Sequence, residues 1–214
     1  MTRSPNSPPR FQLLMNFRFL ILFIFVVLPA GVAGELPFDP AQICRLSVDR
    51  IPRSIAIRQG ADVWLGYDLE KALVFKVWEA PREKPGLILS DFKAVSAGTP
   101  WFEEETGDGW QMKGEGEAVP LTSRYLGCTQ NKGSFELRWE LSYPEGTVQL
   151  SERIPMTPAT GKNRAYRELR VESLAGEVSV LLPSAYRKAW VLTGPEGKTV
   201  TSLAGSAWHQ LSLP

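Results

Sequence analysis

One stretch constrains the fold more than any other: Arg50–Ala80, RIPRSIAIRQGADVWLGYDLEKALVFKVWEA. It contains three runs of alternating character. Ile55 and Ile57 alternate with Ser54 and Arg58; Val63, Leu65 and Tyr67 alternate with Asp62, Trp64 and Gly66. Leu73, Phe75 and Val77 alternate with Ala72, Val74, Lys76 and Trp78. A period of two sends successive side chains to opposite faces of a sheet, so each run predicts a strand. Gly60 and Asp68 break the runs as turn residues do. The third run is apolar on both faces, at Val74 and Trp78 as well, which predicts a central strand covered on both sides.

The same pattern extends downstream. Phe135, Leu137, Trp139 and Leu141 alternate with acids and Arg138. After Pro144-Glu145-Gly146 come Val148, Leu150, Ile154 and Met156. A hairpin of this kind sets Leu141 opposite Val148, Trp139 opposite Leu150, and Glu136 opposite Arg153 on the polar face. Glu152 then falls on the apolar face; a bulge that turns it outward is expected, a buried acid being the alternative. Tyr166–Ser173, Glu177–Leu182, Ala189–Thr193, Lys198–Leu203 and Ala207–Leu213 read as further strands. Turns fall at Ala175-Gly176, Pro183-Ser184, Gly194–Gly197 and Gly205, and Thr157–Asn163 reads as a loop. Leu87–Leu89 is a brief apolar run after the charged turn Pro81–Pro85. Short strands with turn chemistry between them predict an all-β fold, an antiparallel β-sandwich of roughly ten short strands.

The N-terminus reads differently. Arg3, Arg10 and Arg18 precede the apolar run Phe19–Leu28, and small residues follow at Ala30, Gly31, Ala33 and Gly34. This order predicts a signal peptide, 1–34, cut after Gly34; an uncleaved anchor is the alternative. Residues 35–214 would then form a single domain, secreted or periplasmic, without a stable membrane span. Removing the three leader arginines leaves 21 basic residues against 23 acidic ones. Such a balance offers no electrostatic footprint for nucleic acid. Cys44 and Cys128 are the only cysteines. In an exported chain a disulfide between them is expected, two buried thiols behaving as small hydrophobes being the other reading.

Ala97–Pro120 stands apart: acidic, Gly-rich and aperiodic, with Trp101, Phe102 and Trp110 in it. Irregular stretches longer than about 15 residues are usually functional or disordered. The aromatic content predicts an excursion anchored by its rings. An exposed indole suits a sugar ring or a partner surface. Trp101, Trp110 and Trp64, with Asp108 accepting hydrogen bonds, are therefore the candidate ligand-binding residues; the bland alternative is that the rings pin the loop down. No catalytic residues, metal ligands or cofactor are assigned. The lone His209 alternates with Leu211 and Leu213 and reads as a half-buried strand residue, and no Gly-x-Ser-x-Gly elbow or phosphate-cradling loop occurs.

The order Arg53–Ile57, a glycine, Tyr67-Asp68, then an apolar run closing in Trp78, resembles the secreted β-domain that precedes the propeller and cytochrome parts of bacterial haem-binding, sorbosone-dehydrogenase-like proteins. The likeness continues at Gly114–Gly127 and around Phe135–Ile154. One departure is plain: no Cys-x-x-Cys-His occurs, so covalent c-type haem has no attachment site. The expected function is a non-catalytic, exported binding or interaction module, with a saccharide or a partner protein as ligand. The resemblance implies the alternative of an accessory subunit in an extracytoplasmic sugar-oxidising system. A glycoside hydrolase or lyase is a more distant reading, since no carboxylate pair is singled out.

Overall fold

The computed structural model describes residues 43–81, 83–104, 108–114, 116–157, 164–172 and 179–214. The expected leader, the Glu35–Gln42 lead-in, most of the Thr157–Asn163 loop and the Ala175-Gly176 turn lie outside them. The described residues fall in one compact unit. Strands make up 61% of the described residues and helix 4%, which settles the all-β class.

In chain order, β1 (Ile43–Cys44) and β2 (Ser47–Val48) lead into the meander β3 (Ser54–Gln59), β4 (Val63–Asp68) and β5 (Leu73–Glu79). The hairpin β6 (Leu87–Ser90) and β7 (Lys93–Ser96) comes next. Three strands then cross the stretch that sequence marks as irregular: β8 (Thr99–Glu103), β9 (Gln111–Lys113) and β10 (Val119–Pro120). Three long strands follow, β11 (Thr122–Asn131), β12 (Ser134–Tyr143) and β13 (Gly146–Pro155), and then β14 (Ala165–Glu172). The chain ends with β15 (Ser179–Leu181), helix α1 (Ser184–Ala189), β16 (Val191–Thr193), β17 (Ser202–Leu203) and β18 (His209–Leu213). Helix α1 and β16 divide a segment whose second half alone was expected to be a strand.

Two large sheets form the sandwich. One has the order β1-β3-β4-β5-β8, the other β11-β12-β13-β14-β18-β16. A single core unites their facing sides, with Ile55, Ile57, Leu65 and Tyr67 from the first and Leu137, Trp139, Leu150 and Leu169 from the second. A four-stranded sheet, β10-β9-β15-β17, adds Met112, Val180 and Leu203 to that core. The predicted third strand, β5, is one strand in from the edge because β8 pairs outside it. Both of its faces are nonetheless covered: Leu73 and Val77 enter the main core, and Trp78 enters a second, smaller one.

The β12–β13 hairpin forms in the expected register, with Leu141 opposite Val148, Trp139 opposite Leu150 and Glu136 opposite Arg153. The expectation for Glu152 is overturned. Its pairing with Leu137 is unbroken, no bulge intervenes, and the carboxylate is fully buried. Arg167 on β14 is equally buried and places Nη1 2.8 Å from Glu152 Oε1. The Tyr67 hydroxyl donates to the same oxygen. The guanidinium lies 4.6 Å from the ring centre of Tyr186 and 4.7 Å from that of Trp190. Two opposite charges taken out of water together need such contacts to offset their lost hydration.

Burial, together with the Glu152 charge, pushes the Tyr67 and Tyr186 phenols well above their ordinary range. A raised folded-state value makes stability full below the unfolded phenol pKa of about 10 and lost as pH climbs toward the folded value. The melting temperature should therefore fall steeply above about pH 10. A flat thermal-melt profile across the alkaline range would contradict this.

Candidate docking surface

The four residues expected to share a binding face occupy four separate settings. Trp110 is buried to 1% exposure; its indole N–H donates to the Ala72 carbonyl at 3.0 Å, and its ring meets Tyr186 edge-on. It is a core residue, because a ring this large gains more from packing beneath β9 and β10 than from water. Trp101 on β8 is half-buried against the main core, with the Arg164 guanidinium 5.4 Å from its ring centre. Asp108 accepts hydrogen bonds from the Ser184 backbone N–H at 2.7 Å and from Arg187 Nη2 at 3.2 Å. Those bonds hold its carboxyl below the usual carboxylate range, so Asp108 fastens the first turn of α1. Trp64 is buried and stacks on Trp78, ring centres 6.1 Å apart and planes 9° from parallel. The structure thus gathers no shared indole platform.

The expected disulfide is also corrected. Cys44 and Cys128 are both free, half-buried thiols. Cys44 on β1 packs against the small core outside the five-stranded sheet, whereas Cys128 on β11 packs against the main core. Opposite sides of a sheet separate the two environments. Reducing agent is expected to leave the melting temperature unchanged, and two thiols should titrate on unfolding without it. Loss of one thiol pair in non-reduced protein would oppose this. His209 is buried on β18, with Nδ1 3.0 Å from the Ala207 carbonyl, and reads as a satisfied core histidine. Among the described residues no cluster of three or more His, Cys, Asp or Glu side chains is placed to hold a metal. Nor is any described helix long and apolar enough to cross a membrane.

What remains is the outer face of the five-stranded sheet. A three-stranded sheet of order β2-β7-β6 covers it. Strand β7 runs parallel to β2 and antiparallel to β6. Beneath lie Val48, Ala56, Trp64, Trp78, Ala80 and Ala94. Two bonds converge on the Gly86 carbonyl: the Trp78 indole N–H at 2.8 Å and the Ala97 N–H at 3.0 Å. Asp49, at φ 49°, donates its N–H to the Ala94 carbonyl and accepts the Ser96 N–H on its carboxylate. A side chain at position 86 would put its Cβ 2.0 Å from Trp64 Nε1, so only glycine lets the chain run this close to the indole. Gly86→Ala should destabilise by about 1–3 kcal/mol, the range for an overpacked core. Chemical denaturation measures it; a neutral result would mean that the hairpin lifts freely.

The hairpin's own surface is unusual. Six large hydrophobic residues are exposed among the described residues, and four belong to it: Ile88 at 58%, Leu89 at 63%, Phe92 at 85% and Val95 at 54%. Ile88 and Val95 are directly paired and share the outward face. Phe92 stands in the Asp91-Phe92 turn between the strands, with Asp91 at φ 49°. Beside β6 a cavity of about 520 Å³ opens, walled by Ile43, Cys44, Arg58, Trp64, the Glu83–Gly86 loop, and Leu87 and Leu89. From sequence, only the apolar Leu87–Leu89 run signals this face; Phe92 sits between Asp91 and Lys93, Val95 between Ala94 and Ser96, and the two give no period.

Fold and surface together define an all-β antiparallel sandwich with a small outer sheet and an apolar hairpin. No protein-family model matches the chain, and it matches neither a curated protein nor a solved structure.

Proposed function

We propose that the protein is a non-catalytic interaction module working outside the cytoplasm, and that it docks a partner polypeptide on the β6–β7 face. The leader-like order of Met1–Gly34 supports the compartment. One observation carries the docking: four of the six exposed large hydrophobics converge on one small hairpin, around Phe92 at 85% exposure. Large apolar side chains gathered at the surface of one small element mark interaction sites. Glu83, Lys84, Asp91 and Lys93 surround it, giving the polar rim that specific interfaces show. A saccharide calls for an open indole face. Trp78 stacks on the Trp64 ring, Trp110 lies in the core and the half-buried Trp101 has the Arg164 guanidinium over its ring, so the partner proposed is a polypeptide.

The test is photocrosslinking in cells that export the protein. A benzophenone amino acid replaces Phe92 in one variant and the exposed Val191 on the sandwich in another. Adducts from position 92 and not from 191 are expected. Equal or no adducts from the two positions would overturn the reading.

A further inference from the structure

The backbone of β6 says how a partner would attach. In the β6–β7 ladder Leu87 pairs with Ser96, Ile88 with Val95 and Leu89 with Ala94. The Gly86 carbonyl accepts the Ala97 N–H, so Gly86, Ile88 and Ser90 turn their backbone groups toward β7. Leu87 and Leu89 turn theirs the other way. On β7 the alternation agrees: the Ala94 carbonyl and the Ser96 N–H point toward the β2 side. Strand β6 is last in the order β2-β7-β6, so the N–H and C=O groups of Leu87 and Leu89 face an edge that no described strand pairs with.

That edge overlooks the 520 Å³ cavity. Its wall is apolar at Ile43, Trp64 and Leu89, and Arg58 and Lys84 outnumber Glu83 around it. The Trp64 indole N–H on this wall is buried and has no hydrogen-bond partner among the described residues. The edge strand itself, Leu-Ile-Leu-Ser, carries no charge and no proline, the devices that normally block pairing.

We infer that an extended segment of a partner polypeptide adds to β6 as a fourth strand, seating an apolar side chain in the cavity and a carboxylate near Arg58 and Lys84. Main-chain bonds to Leu87 and Leu89 supply affinity in this mode, and pockets for alternate side chains supply selectivity. The inference rests on the docking face proposed above and adds its geometry and its partner chemistry.

The probe is a phage-displayed library of short random peptides, selected on the purified full chain. Enriched sequences should alternate apolar residues and carry an acid. N-methylation of a synthetic hit should abolish binding at every second residue and spare the residues between. Leu89→Pro removes an N–H that points to the open edge and not to β7, where proline is tolerated. It should weaken binding about tenfold or more with little change in melting temperature. Ile88→Pro, which breaks a β6–β7 bond, should lower the melting temperature and serves as the control. Bound peptide should slow alkylation of Cys44, which lines the cavity, while Cys128 reacts as before. No enrichment, or hits indifferent to both Leu89→Pro and N-methylation, would overturn strand addition. So would a discrete soluble dimer that Leu89→Pro abolishes and that no enriched peptide dissociates, since it assigns the edge to a second copy. If crosslinks from position 92 persist in either case, the docking face stands and only strand addition falls.

Discussion

Arg167→Met is expected to destabilise the folded protein by about 3–5 kcal/mol, the cost of leaving one partner of a buried ion pair alone. Glu152 would keep its Tyr67 hydrogen bond but lose the cation it is paired with, at zero exposure. The methionine would also forfeit guanidinium stacking on Tyr186 and Trp190. The double variant Glu152→Leu/Arg167→Met should recover most of that loss, because matched apolar residues remove both desolvation penalties together. Urea denaturation of the two single variants and the double gives the coupling directly. A single-variant loss below about 1 kcal/mol would mean that solvent reaches the pair.

Trp110→Ala carries the second large effect, a loss of about 3–5 kcal/mol. The indole is 1% exposed, bonds the Ala72 carbonyl and packs edge-on against Tyr186. Truncation opens a cavity at the junction of β9, β5 and α1, and strands a carbonyl whose donor has gone. A Trp110→Phe variant narrows the division between the two contributions, since it keeps most of the volume and loses the N–H with the pyrrole edge. Were Trp110 a ligand platform, the melting temperature would barely move; an unchanged value in Trp110→Ala would revive that possibility.

The meander and the β12–β13 hairpin were legible because their signals are local. Ile55, Ile57, Leu65, Trp139 and Leu150 announce strands by period alone, and Pro144-Glu145-Gly146 fixes the pairing register. Glu152 was misread because its partner stands 15 residues away on another strand. A sign was present: Ala165, Arg167, Leu169 and Val171 all fall on the inward face of β14, so a charge there needed an opposite charge opposite it. Trp110 was misread for a related reason. The residues around it are polar and glycine-rich, and nothing local says that β9 pairs with β15 almost seventy residues on. The exposed hairpin is legible only in its Leu87–Leu89 run, since its four exposed residues follow no single periodicity. Exposure is a property of the finished surface, decided by which side of the chain happens to be covered.

The undefended edge of β6 sets a limit on how this protein can be kept. Natural sheets usually guard their margins with lysine, proline or a bulge, and Leu87–Ser90 has none of these. Two unoccupied molecules that meet along this margin have matching backbone groups and greasy side chains to share. Crowding is therefore hazardous for the chain, and solubility should fall as more of it is produced. Overproduction should yield precipitate that Leu89→Pro relieves, without any change in the melting of the sandwich itself.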